Sequence, residues 1–332
     1  MRPLVGILLA NLGTPNNYNF ISMRNYLAEF LSDKRIIELN KLLWYPILYG
    51  IILNSRPKKS GANYKNIWNS KGPGTGSPLL YYTKQQTKKL KEILKEEYSN
   101  NLNIKVSFGM RYGQPNLSKA IEELSLYGCE NIIILPLFPQ YSATTTASIF
   151  DACFKKFMKM RNVPSIKTIK GFANNPKYIE ALANSINTHL KTLNFTPERI
   201  LASFHGIPKS YCDKGDPYYQ ECKKTFDALQ NYMQDDRLVL CFQSRFGKAE
   251  WLKPYTMDLV KTLPSQDITK IAIFNPGFLS DCLETIDEIG REMHDEFIYY
   301  GGKNFSHIPC LNDSNATIEL LSDICRKELN NF

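Results

Sequence analysis

Short β-branched runs alternate along this chain with stretches of helix length, and this alternation restricts its folding more than any other feature. Strand candidates fall at residues 4–11, 104–108, 131–137, 165–169, 199–204, 238–242 and 268–274. Several are apolar without interruption, such as IIIL at 132–135, as suits strands buried on both faces. Helical patterns occupy 83–98, 116–127, 176–193, 216–233 and 283–297, with another at 316–329. Strand–helix alternation of this kind predicts parallel sheets covered by helices, a doubly wound α/β fold.

The pattern runs twice. The first strand leads into Leu12-Gly13-Thr14-Pro15, and the strand at 201–204 leads into His205-Gly206-Ile207-Pro208. FGMRYG at 108–113 matches FQSRFG at 242–247, and IIILPLFPQYSATT from Ile132 resembles IAIFNPGFLSDCLET from Ile271. Three pairs in one order indicate two similar domains, in keeping with a length of 332 residues. The same pairs locate an insertion. Gly13 and Arg111 are 98 residues apart, whereas Gly206 and Arg245 are 39 apart, so the first half carries 59 extra residues at about 18–78.

The insertion contains the longest apolar run, LLWYPILYGIIL at 42–53, followed by a stretch with Arg56, Lys58, Lys59, Lys65 and Lys71 and no acid. Twelve residues are too few to span a bilayer, which takes about 20. Such a lip can rest on an anionic membrane or cover a flat carboxylated ligand. It can equally be a helical hairpin with a solvated basic loop.

The net charge of +9 suggests an acidic partner: a nucleic acid, an anionic membrane surface or a carboxylated small molecule. No helix-turn-helix, zinc-finger or RNP motif accompanies it, which argues against nucleic acid. No GxGxxG follows a strand and no Walker loop is present, so no nucleotide is expected. Gly72-Pro73-Gly74-Thr75-Gly76 follows a polar loop and reads as a flexible turn. None of the eight cysteines forms a CxxC pair, so zinc-ribbon and thioredoxin-like chemistry is excluded and most should be buried apolar residues. The N-terminal apolar run passes into a turn without a cleavage pattern, and the chain is expected to be cytoplasmic.

All the paired motifs follow strands, and in open α/β sheets the carboxyl ends of strands form the ligand crevice. His205 ends a buried-type strand there, where an imidazole can ligate a metal or take protons near neutral pH; it can also simply bond within its turn. Asp281, Glu284 and Glu288 are spaced to share one face of an α-helix, with Ser280 or Asp281 as a cap. A file of carboxylates suits a divalent cation, or is a solvated face favoured by the helix dipole. Arg111 and Arg245 end equivalent strands and suit a ligand carboxylate or an interdomain ion pair. Leu12, Tyr112, Tyr141, Trp251 and Phe278 suit an apolar pocket wall or plain core. His189, His294 and His307 read as structural or solvated.

Together these motifs resemble the ferrochelatase family, enzymes that insert ferrous iron into a porphyrin to make haem. The resemblance rests on LLANLGTP (8–15), FGMRYGQP (108–115), LPLFPQYSATTT (135–146), SFHGIPKSYCDKGDPYYQEC (203–222), FQSRFGKAEWLKPYT (242–256) and PGFLSDCLETIDEI (276–289). It implies two Rossmann-like domains facing across a porphyrin cleft. The first comprises residues 1–160 with a returning C-terminal segment, 308–332; the second comprises 161–307 and carries His205 and Glu284. It further implies a catalytic role for His205 and Glu284, with Asp281 and Glu288 on an acidic metal path. Leu12, Arg111, Tyr112 and Trp251 fall on pocket-wall positions. The substrates implied are Fe(II) and protoporphyrin IX or coproporphyrin III. Candidate further partners are an anionic membrane surface and the enzyme that supplies the porphyrin. Related readings are another tetrapyrrole chelatase or a non-catalytic porphyrin carrier, which would not need the acidic file.

The chain departs from the family at two points. Some members hold an iron–sulfur cluster through a mid-chain Cys and three Cys in a C-terminal extension. Here the mid-chain position is Ala143 and no Cys-rich tail follows, so no cluster is expected. Cys282 stands where many relatives have His, and a thiol there invites soft metals or oxidation.

Overall fold

A computed structural model describes residues 3–69 and 75–330. Residues 72–74 of the glycine-rich turn and Lys71 lie outside them. The fold is α/β with two parallel four-stranded sheets. Contacts divide the chain into one unit of residues 1–137, 143–171 and 318–332, and a second of 138–142 and 172–317.

In the first unit the strands are β1 (Leu4–Thr14), β2 (Asn103–Gly113), β3 (Asn131–Pro136) and β4 (Ser165–Thr168), in the order β2-β1-β3-β4. In the second they are β5 (Arg199–His205), β6 (Leu238–Gln243), β7 (Lys270–Phe274) and β8 (Asn304–His307), in the order β6-β5-β7-β8. The two orders are the same, and the central strands β1, β3, β5 and β7 are almost wholly buried. That is why their sequences read as unbroken apolar runs. β8, with the sequence NFSH, is a half-buried edge strand that hydropathy does not reveal.

The repeat extends to backbone detail. The Met110 amide donates to the Pro115 carbonyl, and the Phe242 amide to the Pro254 carbonyl, closing equivalent loops after β2 and β6. Gly13 and Gly206 each let neighbouring strands close up. A Cβ on Gly13 would meet the Tyr112 carbonyl oxygen at 1.8 Å, and one on Gly206 would meet the Gln243 carbonyl oxygen at 2.7 Å.

The sheets also set where the units divide. β4 pairs with β3 from Asn131↔Ser165 to Ile134↔Thr168, so residues 161–171 stay with the first unit instead of opening the second. The Ile308 amide donates to the Ile273 carbonyl and the Asn312 amide to the Leu279 carbonyl, which keeps residues 308–317 with the second. The helix Asn315–Leu329 lies mostly in the first unit, where Lys167 Nζ donates to the Glu328 carbonyl oxygen.

The insertion is helical: Phe20–Leu31, Lys41–Ile47, a π-turn at Leu48–Ile52, and Leu53–Ile67. Pro46 and Pro57 each lack an amide, which interrupts the regular ladder. Between the two prolines Asn54 Nδ2 donates to the Tyr49 and Gly50 oxygens, and Ser55 Oγ to the Ile51 oxygen. Leu48 and Leu53 are fully buried, whereas Leu42, Leu43 and Ile51 are 84%, 71% and 64% exposed. No described helix is long and apolar enough to cross a membrane.

Candidate active site

His205 is the last residue of β5, held at the strand end by the parallel pair His205↔Gln243. Its Nδ1 lies 2.7 Å from the Gly206 carbonyl oxygen. A carbonyl only accepts, so Nδ1 carries the proton and Nε2 keeps its lone pair. Nε2 has no hydrogen-bond partner among the described residues. Burial lowers the imidazole pKa below its ordinary value, and the negative charge of Glu284 offsets part of that fall. The Phe278 ring stands edge-on at 6.4 Å.

Glu284 begins a ten-residue π-helix, Glu284–Met293, where the sequence pattern predicts an α-helix. Its i→i+5 hydrogen bonds stack residues four and five apart instead of three and four. Ile289, Met293 and Phe297 form the apolar side, buried against Leu201, Ile271 and Ile273. Glu284, Glu288 and Glu292, each four apart, occupy half-buried positions along the same helix. Glu292 lies beyond the acidic file that the motifs mark out, although its spacing from Glu288 repeats that of Glu288 from Glu284. Burial pushes the Glu288 carboxyl up to about 7; a Ser244 hydrogen bond opposes the shift and the Glu284 charge adds to it.

Asp281 does not join this row. It precedes the helix and caps none of its amides. Its carboxylate accepts from Thr285 Oγ1 at 3.0 Å, the Cys310 amide at 3.2 Å and Asn312 Nδ2 at 2.7 Å. These bonds pin the helix start to the segment after β8. Cys282 is buried, and burial, then the Glu284 charge, raises its thiol pKa well above the ordinary value. It is therefore held as the neutral thiol, which is a poor metal ligand and nucleophile.

Gln243, at the end of β6, is 2% exposed and joins the row from below. Its Nε2 donates to the Glu284 carbonyl oxygen at 2.8 Å and to Glu288 Oε2 at 3.3 Å, while Ser244 Oγ donates to the same Oε2 at 2.7 Å. Trp251 is half-buried and packs on the backbone beside His205, where a Cβ on Gly206 would come within 3.1 Å of its ring. Tyr141, also of the second unit, is half-buried. Arg245 is exposed and lies over the Tyr255 ring at 4.7 Å.

Within the first unit Leu12 is half-buried near the end of β1. Arg111 and Tyr112 are placed differently from the expectation of a ligand-facing wall. Tyr112 is fully buried. Its hydroxyl donates to Asp33 Oδ2 at 2.7 Å, and the Arg111 guanidinium pairs with the same carboxylate. Arg111 Nε further donates to Ser148 Oγ at 2.7 Å, and Ser148 donates to Asp33. Burial alone would raise the Asp33 pKa, but the bonds from Ser148, the Arg35 amide and Tyr112, with the Arg111 charge, hold it below the ordinary value. Arg111 thus braces its own unit. Asp33, the hub of this network, is not recognisable from sequence because its partners lie 78, 79 and 115 residues away.

Among the described residues no three His, Cys, Asp or Glu side chains converge closely enough to hold a metal ion. The acidic row offers single carboxylates in file.

A family model named Ferrochelatase matches residues 4–329. Ferrochelatases of Brucella ovis and Brucella abortus (strain S19) are each 51% identical to this chain over 329 residues, covering 98% of it and 92% of the relative. Among solved structures, the sirohydrochlorin chelatase SirB from Bacillus subtilis subspecies spizizenii in complex with cobalt superposes with a TM-score of 0.55 at 11% identity, covering 98% of this chain and 96% of that one. CbiX, the terminal enzyme for biosynthesis of sirohaem in denitrifying bacteria, gives a TM-score of 0.53 at 10% identity, covering 97% and 98%. At such identities these two share the fold.

Proposed function

We propose, starting from a chain that belongs to the ferrochelatase family, that this protein inserts Fe(II) into a porphyrin with release of two protons, the iron-insertion step of haem synthesis, and that it does so as a lyase. The observation that carries the mechanism is the free Nε2 lone pair of His205, fixed by the Nδ1 bond to Gly206 and kept neutral by burial.

Insertion requires loss of two pyrrole protons and stripping of water from the cation. Neutral His205 accepts a pyrrole proton at Nε2, and Glu284 stabilises the imidazolium so formed. Carboxylates are hard oxygen donors that replace water on Fe(II). Glu284 takes that role next to His205. Glu288, titrating near pH 7, gives and accepts protons at working pH. Leu12, Tyr141, Trp251 and Phe278 are proposed to hold the macrocycle. Arg111 and Tyr112 support that function from within the first unit. Asp281 sets the start of the helix that carries the carboxylates. Ala143 supplies no thiol to an iron–sulfur cluster, which supports the reading that none is bound.

The exposed Leu42, Leu43 and Ile51, with Lys58, Lys59 and Lys65 exposed on the next helix, support peripheral docking of a cytoplasmic protein on an anionic membrane.

Anaerobic Fe(II) added with protoporphyrin IX or coproporphyrin III, followed by loss of free-base fluorescence, tests the activity and identifies the porphyrin. His205→Ala is expected to lower turnover about 100-fold or more, the usual worth of a general base. Full turnover in that variant would overturn the role given to His205, and no fluorescence loss with either porphyrin would overturn the activity.

A further inference from the structure

A directed chain of hydrogen bonds runs through the second sheet to the acidic row, and its polarity follows from two main-chain carbonyls. Asn275 Nδ2 lies 3.1 Å from the Ser203 carbonyl oxygen and so must be the donor end of that amide. It also donates to Gln243 Oε1 at 2.7 Å. The Glu284 carbonyl likewise fixes Gln243 Nε2 as a donor. With Asn275 Nδ2 so placed, Asn275 Oδ1 is an acceptor, and His307 Nε2 at 3.2 Å must donate to it. The order is therefore His307 to Asn275 to Gln243 to Glu288, with every proton pointing towards the carboxylate. Ser203 Oγ, bonded to Thr256 Oγ1 at 2.8 Å, donates to Gln243 Oε1 at 2.9 Å.

Gln243, Asn275 and Ser203 are each 3% exposed or less. Buried amides in a low-dielectric interior polarise one another, and a fully satisfied chain holds its members in one geometry. Gln243 is the point at which this rigidity reaches the π-helix: one Nε2 grips both the main chain of Glu284 and the side chain of Glu288. A π-helix has poorer intrinsic stability than an α-helix and is rare, so an outside tether on its first residue matters more here than on an ordinary helix.

Resting on the metal-insertion reading above, we infer that Gln243 is a positioning residue for metal entry, holding Glu284 and Glu288 in the register that receives Fe(II), with Asn275 fixing Gln243 in turn. It touches neither substrate itself. Its loss should appear in the metal's kinetics and leave porphyrin binding alone.

The test compares the full chain with Gln243→Met, which keeps the volume but removes the amide, and with Asn275→Ser and Ser203→Ala, each of which removes one of the two bonds to Oε1 and leaves both Nε2 contacts. KM for Fe(II), kcat and the porphyrin Kd by fluorescence are read for each. Gln243→Met is expected to raise KM for Fe(II) about tenfold or more, the usual effect of removing a partner that orients a metal-binding group. Its porphyrin Kd should stay within about twofold. Asn275→Ser and Ser203→Ala should each raise KM for Fe(II) by a smaller factor, since each leaves Oε1 with one of its two donors. An unchanged KM for Fe(II) in both Gln243→Met and Asn275→Ser would overturn the proposal. So would an equal weakening for iron and porphyrin, which signals general damage. Should Gln243→Met not fold, Asn275→Ser decides the matter by the same two readouts. Wild-type protein that inserts no iron would refute the underlying activity instead, and that outcome is visible before any variant is made.

Discussion

His205 Nδ1 sits 2.7 Å from the carbonyl oxygen of Gly206, its own chain neighbour. The bond is local, so the tautomer of the imidazole is set by the turn after β5 and does not depend on substrate. An imidazole so fixed can take up a proton at Nε2 without changing tautomer.

Glu284 should control how readily that imidazole is protonated. Burial depresses the His205 pKa below its ordinary 6.5, and the Glu284 charge raises it part of the way back. Glu284→Gln is therefore expected to lower it further. NMR titration of the His205 ring in the two proteins checks this, and a higher value in the variant would contradict it. Because the folded value lies below the unfolded one, stability linked to this group is present above pH 6.5 and declines as pH falls through the folded value.

Glu288 works in the opposite sense. Its carboxyl titrates near 7 in the folded protein against 4.5 when unperturbed. The folded state holds the proton more tightly, so the associated stability is complete below pH 4.5 and is lost as pH rises through 7, by up to about 3 kcal/mol. Urea midpoints of wild type and Glu288→Gln at pH 5 and pH 8 measure it. The variant should gain on wild type as pH rises, and parallel curves would count against the shift.

Two ion pairs of the first unit should respond very differently to mutation. Asp33 and Arg111 have side chains 8% and 17% exposed, and Asp33 bears two further hydroxyl bonds. Asp33→Asn is expected to cost about 3–5 kcal/mol, because a buried guanidinium loses its counter-charge. Asp151 and Arg35 have side chains 53% and 43% exposed. Asp151→Asn should cost less than about 1 kcal/mol and less still in high salt. Denaturant midpoints at two salt concentrations separate the two cases.

The lip predicts a surface effect without a folding effect. Replacing the exposed Leu42, Leu43 and Ile51 together by Ser should change stability by no more than about 0.5 kcal/mol per site. Binding to vesicles rich in phosphatidylserine should fall about tenfold or more, since burying a Leu or Ile side chain is worth about 1.5–3 kcal/mol. Co-sedimentation reads the result, and undiminished binding would remove the membrane role from the lip.

The sheets are legible in the sequence because β1, β3, β5 and β7 are buried on both faces and need unbroken apolar residues. β8 is not, since Asn304–His307 is a polar edge with one neighbour. His205 and Glu284 can be found because strand ends and turn residues mark crevices. Asp281 falls outside its expected row because the helix begins after it, and its carboxylate is taken up by Thr285, the Cys310 amide and Asn312, the last two far along the chain. Asp33 and Gln243 escape as well: each acts through partners far along the chain, and one sequence carries no record of such contacts.

The π-helix also has a consequence for how this protein can change. A π-turn amounts to an α-helix with one residue too many, so removing a single residue near Thr285 or Ile286 would relax Glu284–Met293 to the more stable form. The apolar anchors Ile289, Met293 and Phe297 would keep their mutual spacing, and so would Glu288 and Glu292; only Glu284 would swing out of line. Such a deletion would give a more regular helix at the cost of the row of acids and of the Thr285 bonds to Asp281 and Cys282.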